Sequence, residues 1–370
     1  MLLLVGCGNH SSVSHYSGLT DSNRRSSRMV ASNGARDSWR PEVSGATTSI
    51  NSVQFVSAAD GWAVGGNGAV FRTLDGGKSW NEHQVLSDNV ILNGVHFVSR
   101  KKGWAVGDII KSNSGIDVPS MDTMPVIMKT VDGGKQWSLQ REGKLDSLVM
   151  GCSTNQQHTL FGIIVSGLRA FAIGSEIYAS NNGGRDWHVL NLPMRIALSR
   201  AVRYQYDYCG FRSGYFVNGN DVWLVGSARE GGTAEVGLIV GSSDGGRYWS
   251  VEESASFMRP LNDVFFVNAS DGWAVGQDGE IFFTNNGGKG WRMQLSGVLD
   301  QLNSVFFLSP SQGWVVGNSG VILATTDGGR HWFRENSGTR ANLHSVYCVP
   351  SGCWAVGSHG TILHLRLGHG

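Results

Sequence analysis

Short runs of alternating apolar and polar residues recur along the chain in a fixed order. The first run is seen as Asn51-Ser52-Val53-Gln54-Phe55, Asn93-Gly94-Val95-His96-Phe97, Asn262-Asp263-Val264-Phe265-Phe266 and Asn303-Ser304-Val305-Phe306-Phe307. Its period of two predicts a half-buried strand. A second run follows, Gly-Trp-Ala-Val-Gly at Gly61 to Gly65, Gly103 to Gly107 and Gly272 to Gly276, with variants at Gly313 to Gly317, Val222 to Gly226 and Ala170 to Gly174. A third apolar strand comes next, as in Ala69-Val70-Phe71-Arg72-Thr73.

Each unit then ends in a turn. Thr73-Leu74-Asp75-Gly76-Gly77-Lys78-Ser79-Trp80 recurs at Thr130 to Trp137, Ser180 to Trp187, Ser242 to Trp249, Thr284 to Trp291 and Thr325 to Trp332. This is the Ser/Thr-x-Asp-x-Gly-x-x-Trp pattern of an Asp-box. Its structural residues are Asp75, Asp132, Asn182, Asp244, Asn286 and Asp327. A side-chain oxygen at that position bonds backbone N–H groups of its own turn, and the Gly pair tolerates positive φ. The Trp opens the next strand and covers the hairpin.

Trp291 to Trp332 spans 41 residues, and so does Trp39 to Trp80. Trp39 therefore looks like the end of a worn Asp-box with no strands before it. At the other terminus, a seventh unit has its first three strands, through Gly360 to His364, but no fourth. Residues 37 to 43 are expected to supply that missing outer strand, which removes an exposed edge. The predicted fold is all-β: a seven-bladed β-propeller of four-stranded blades over residues 36–370, preceded by a tether over residues 1–35.

Composition agrees and narrows the function. Gly is frequent at 52 residues, with 13 Trp and 7 Pro, as many short strands and tight turns require. A formal net charge of +1 leaves no basic footprint for nucleic acid. Leu4-Val5-Gly6-Cys7 resembles a lipobox, in which Cys7 would be lipidated, although no basic segment precedes it and the apolar run is short. Cys152, Cys209, Cys348 and Cys353 remain, an even number that an oxidising compartment would allow to pair as Cys152–Cys209 and Cys348–Cys353. Four free thiols are the alternative.

Four insertions decorate one sector of the face opposite the Asp-boxes: Asp108 to Pro125, about Arg141 to Thr159, about Leu192 to Ser213, and Ser227 to Glu235. Loops held on a rigid scaffold commonly carry function. The third contains Arg195, Arg200, Arg203, Tyr204, Tyr206 and Arg212, residue types enriched at protein–protein hot spots. Tyrosines packing onto the blade below are the alternative. A basic residue also recurs in each Asp-box (Lys78, Lys135, Arg185, Arg247, Lys289, Arg330), as a ring for anions or as ordinary solvated side chains.

No phosphate-binding loop, HExxH or Cys-x-x-Cys is present, so neither a cofactor nor a metal is expected. Asp-boxes also occur in sialidases, but Phe257-Met258-Arg259-Pro260 departs from their arginine motif, and no catalytic residue carries over. The combination Asn-x-Val-x-Phe, Gly-Trp-Ala-Val-Gly and Thr-x-Asp-Gly-Gly-x-x-Trp resembles the photosystem II stability/assembly factor family, over about residues 36 to 366. The resemblance implies a non-enzymatic propeller that binds a newly made reaction-centre protein through a basic patch. It also implies an exported chain, lipid-anchored at the periplasmic or lumenal membrane surface. The expected partner is a membrane-protein assembly intermediate or other protein, with the chain itself a monomer. The alternative is an exported glycan-binding or glycoside-hydrolase-type propeller.

Overall fold

The computed structural model describes residues 38–111, 122–142, 159–190, 192, 208–229, 235–253 and 259–368. They form seven four-stranded antiparallel sheets. The inner strands are Ile50–Phe55, Val90–Phe97, Leu160–Ser166, Tyr208–Phe216, Leu261–Phe266, Leu302–Phe307 and Leu343–Val349. Each packs against the next, and the last against the first. Six blades use strands consecutive in the chain. In the seventh the outer strand is Arg40–Pro41, paired with Ile362–Arg366 so that Arg40 faces His364. The ring closes with a strand from its own beginning, as the Trp39 spacing predicts.

Aromatic residues fill the seams between blades. The second-strand Trp62 of blade 1 stacks on Phe97 of blade 2 at 3.8 Å, and Trp137 meets Phe97 edge-on at 5.9 Å. The same trio recurs as Trp273, Phe307 and Trp332, and across the closure as Trp354, Phe55 and Trp80. Trp62, Trp273 and Trp354 and their Phe partners are fully buried. Burial of each ring contributes about 2 kcal/mol, and the stacked geometry adds about 1 kcal/mol. The stack explains a glycine. A Cβ on Gly61 would lie 2.5 Å from the Phe55 ring that crosses it, and Gly103, Gly272 and Gly313 face their phenylalanines in the same way.

Blade 7 solves the same site differently. Cys348 stands where the phenylalanine would be and Cys353 where the glycine would be; the two are cross-strand partners joined by a disulfide. Both are buried against Trp314 and Trp39, the aromatic pair of that seam.

A polar clasp also joins successive inner strands. Asn51, Asn93, Asn262 and Asn303 donate side-chain amides to Leu92 O, Leu160 O, Leu302 O and Leu343 O of the following blades. His344 Nδ1 meets Ile50 O at 3.2 Å, so the clasp crosses the closure. Between blades 2 and 3 it gains a buried carboxylate: Asp108 accepts from Leu160 N at 2.9 Å and from Asn93 Nδ2 at 3.0 Å. Burial pushes Asp108 up to about 7, against those two hydrogen bonds.

Two outcomes follow. Reducing the disulfide removes a short loop constraint of about 2 kcal/mol, so reductant should lower the Tm by a few degrees. The Cys348→Phe/Cys353→Gly double variant should fold and lose that sensitivity; a reductant-sensitive double variant would refute the equivalence. For Asp108, a raised pKa means its contribution is complete below the ordinary value of 3.8 and lost as pH rises through about 7. Thermal melts should therefore show stability falling between those limits, a slope that Asp108→Asn abolishes. An identical slope in both proteins would refute the assignment.

Candidate functional site

Three features of the ring offer themselves to a ligand: the central channel, the decorated face around its mouth, and the Asp-box face opposite.

The inner strands enclose a channel of about 530 Å³. Asn51, Asn93, Asn262, Asn303 and His344 ring its mouth, already committed to the inter-blade clasp. In blades 3 and 4 the clasp position holds Phe161 and Arg212 instead, and the Arg212 guanidinium lies 4.2 Å over the Phe161 ring. Asp263 faces the channel, accepting from Ser213 Oγ and Val305 N; burial raises its pKa. At the far end Tyr215, Phe265, Phe306 and Tyr347 form a chain of tilted rings at 4.7 to 5.0 Å. The channel is thus a structural core, and among the described residues Arg212 is the arginine at its mouth.

Of the residues predicted on the decorated face, only Arg212 is described with its side chain. Arg195, Arg200, Arg203, Tyr204 and Tyr206 lie outside the described residues, as do Cys7, Cys152 and the side chain of Cys209. The bases of two insertions are described. Gly103–Lys111 and Asp122–Thr130 continue as a hairpin beyond the usual strand length, as do Val222–Arg229 and Val236–Ser242. Arg229 pairs there with Glu235 at 2.9 Å.

The six Asp-boxes share one construction. Thr73 Oγ1 donates to Asp75 Oδ1 and accepts from Gly77 N, and Asp75 Oδ1 also takes Ser79 N. Asp132, Asn182 and Asp244 repeat the pattern with two backbone donors each. In blade 6, Asp327 adds the His331 ring at 2.6 Å, which brings its carboxyl down to about 2. Asn286 keeps the Thr284 bond. The first glycine of each turn, at φ 75° in Gly76, donates its N–H to the first hairpin of the same blade, as Gly76 does to Ala59 O. These side chains hold turns, and the boxes form a rigid rim.

Cations that the sequence pattern did not reveal stand on this rim. In the cross-strand register, the second-strand aromatic of each blade faces one third-strand residue: Trp62 faces Arg72 and Trp104 faces Lys129. The Arg72 guanidinium lies 5.3 Å from the centre of the Trp62 ring, beside Gly133 of the blade 2 Asp-box. Lys102 and Lys129 bring their ammonium groups to 5.0 and 5.6 Å from Trp104, and Lys129 Nζ donates to Gly183 O of the blade 3 box at 2.9 Å. Arg169 does the same one seam further on, donating to Gly219 O and Asn220 Oδ1 beside Gly245 of blade 4.

Three consecutive seams therefore carry a cation into the next blade's Asp-box. Among the described residues none of Arg72, Lys102, Lys129 and Arg169 has an ion pair. Burial lowers the Lys129 pKa, and the like charges of Lys102 and Arg185 lower it further. Of the basic residues predicted in the boxes, Lys135, Arg185 and Arg247 belong to the three boxes that these cations reach. Side chains that repel one another without counter-ions are poor stabilisers and good anion hosts. In blade 3 the facing residue is Ala179, and the cation comes from Arg169 of the second strand instead; the remaining four seams place Gly241, Phe283, Ala324 and His364 at the facing position.

Solved structures share this architecture. The chain aligns with a structure described as YCF48 bound to D1 peptide, at 19% identity and TM-score 0.63, over 90% of this chain and 97% of the other. YCF48 from Cyanidioschyzon merolae aligns at 19% identity and TM-score 0.63, over 89% and 98%. The GH74 xyloglucanase from Xanthomonas campestris aligns at 14% identity and TM-score 0.61, over 90% of this chain and 54% of that enzyme. At these identities the likeness establishes the fold alone. No match to a curated protein was found by sequence. The family model described as Photosynthesis system II assembly factor YCF48 matches residues 23–112 and 249–343, together half of the chain, and the protein belongs to that family.

Proposed function

We propose that this chain is a non-enzymatic, exported binding protein that assists assembly or stability of a membrane-protein complex, photosystem II-like by family. It holds an acidic, extended segment of its client along the cationic arc of the Asp-box face. The arc itself carries this reading: Arg72, Lys102, Lys129 and Arg169 converge on successive Asp-boxes, and none of them has an ion pair among the described residues. An extended peptide could follow the rim from blade 1 to blade 4, its carboxylates meeting a cation at each seam.

The other features support a binding role. The Asp-box carboxylates hold their turns and are tied to backbone donors. The carboxyls whose pKa values are raised sit apart, with Asp108 in the blade 2–3 clasp, Asp263 in the channel and Glu280 on a blade 5 hairpin. A glycosidase needs two such groups across one cleft. The buried Cys348–Cys353 disulfide favours folding in an oxidising compartment, and Leu4 to Cys7 favours a lipid anchor at a membrane surface.

The test is affinity capture from detergent-solubilised membranes with the full chain, read by mass spectrometry. Wild type should recover a membrane-protein assembly intermediate. The Arg72→Ala/Lys129→Ala/Arg169→Ala variant should recover roughly tenfold less, as loss of several charge-assisted contacts implies. Arg212→Ala should behave as wild type. Recovery lost only in Arg212→Ala would move the site to the channel mouth and refute the arc.

A further inference from the structure

Blade 4 breaks the seam rule in one place. The residue facing its second-strand Trp223 is Gly241. Trp223 leans across the vacant position, so that a Cβ on Gly241 would lie 2.5 Å from its ring. It has also left the close stack on the next blade: its centroid is 5.8 Å from Phe266, against 3.5 to 3.8 Å in the full stacks. A cavity of about 560 Å³ opens on the Asp-box side between blades 4 and 5, lined in part by Trp223, Tyr248, Trp249, Asp244, Asn286 and Lys289. Tyr248 stands at its rim, 80% exposed, at the turn position that holds Ser79, Gln136, Asp186, Gly290 and His331 in the other boxes.

The cavity continues the arc. Arg169, its last cation, packs on Gly245, and the neighbouring Asp244 is a wall of the cavity. Asp244 accepts from Ser242 Oγ, Arg247 N and Tyr248 N, which holds its carboxyl below the ordinary range and therefore charged. Asp221 lines the cavity as well. Two acidic walls and a single Lys289 disfavour another carboxylate there, whereas two tryptophans and a tyrosine offer a neutral ring its preferred surroundings.

We infer that this cavity receives an aromatic side chain adjoining the acidic stretch of the client segment, so that recognition has two parts: carboxylates on the arc and a ring between blades 4 and 5. The inference rests on the reading of the arc as the client-binding surface. Aromatic side chains seated in pockets are recurring anchors of extended peptides, and this cavity, with Trp223, Trp249 and Tyr248 among its polar walls, is the recess that the arc runs into.

Fluorescence anisotropy with the full chain separates the two parts. The probes are a labelled decapeptide of alternating Asp and Gly, and the same peptide with one Trp added at either end. The acidic peptide should bind wild type and lose affinity in the Arg72→Ala/Lys129→Ala/Arg169→Ala variant. At least one Trp peptide should bind roughly tenfold tighter than the acidic peptide, the size of a modest anchor. Tyr248→Ala should erase most of that gain while leaving the acidic peptide unchanged, and Ala269→Leu, an exposed wall position whose larger side chain crowds the cavity, should do the same. If the acidic peptide binds but Trp adds nothing, or the gain survives both variants, the cavity inference falls and the arc stands. If neither peptide binds, the arc reading falls and takes the inference with it. An oligosaccharide that binds wild type and not Tyr248→Ala, with no gain from Trp, would assign the cavity to a glycan and overturn the inference.

Discussion

One contact sets the pattern of this ring, the flat stacking of a second-strand tryptophan on the inner-strand phenylalanine of the next blade. It is complete at Trp62–Phe97, Trp273–Phe307 and Trp354–Phe55 and varied at the other seams. The stack is buried and directional, so it fixes how far and at what angle successive sheets meet. It also dictates the small residues around it. In blades 1, 2, 5 and 6 the strand opposite the phenylalanine presents glycine, because a Cβ there would enter the ring. In blade 4, by contrast, Val222 faces Phe216 and the neighbouring Phe171 stands 5.4 Å off. The Asp-box then delivers a second tryptophan edge-on to the same phenylalanine, tying the outer hairpin to the seam. Where the chain gives up the phenylalanine in blade 7, it gives up the glycine as well and installs a disulfide across the same pair.

Departures from that rule are where the molecule acquires individuality. The third-strand residue facing the tryptophan contributes little to the stack and is free to vary. In blades 1 and 2 it is cationic, in blade 4 it is absent, and in blade 5 it is Phe283, which covers Trp273 at 5.1 Å. An arc of charge and an open cavity thus arise on one face through changes at a single position of the repeat, with Lys102 and Arg169 adding to the arc from elsewhere. The Asp-box turn is kept throughout, and only at Gly241 does the tryptophan move off the close stack, to 5.8 Å from Phe266.

Much of this was legible in the sequence. The Gly-Trp pair, the Asp-box and the inner-strand alternation each answer a steric or hydrogen-bonding requirement, and they recur at fixed offsets. The 41-residue step from Trp39 to Trp80 located the closing strand before any fold was known. Cys348 and Cys353 were visibly close in a hairpin, but their equivalence to Phe55 and Gly61 emerges only from the register. The arc is hidden from the sequence for a related reason. Arg72 and Lys129 read along the chain as the ends of apolar strands, and only pairing across the sheet puts them over tryptophans. Arg169 comes from the second strand, at the repeat position that holds Lys102 in blade 2 but Asp60 and Asp221 in blades 1 and 4, so a basic residue is not a regular feature of that position. The sequence pattern points instead to the box positions Lys78 to Arg330, of which Lys135, Arg185 and Arg247 belong to the boxes the arc reaches, and to an arginine–tyrosine loop of which Arg212 alone is described with its side chain.

The central claim is that the Asp-box rim of blades 1 to 4 is the surface that meets the client. Hydrogen–deuterium exchange of the full chain, with and without a bound client segment, tests it most directly. The account predicts slowed exchange in the turns at residues 73–80, 130–137, 180–187 and 242–249, with the inner-strand ends at Asn51, Asn303 and Arg212 unchanged. Protection confined to those inner-strand ends, with the four turns exchanging as in the free protein, would contradict it.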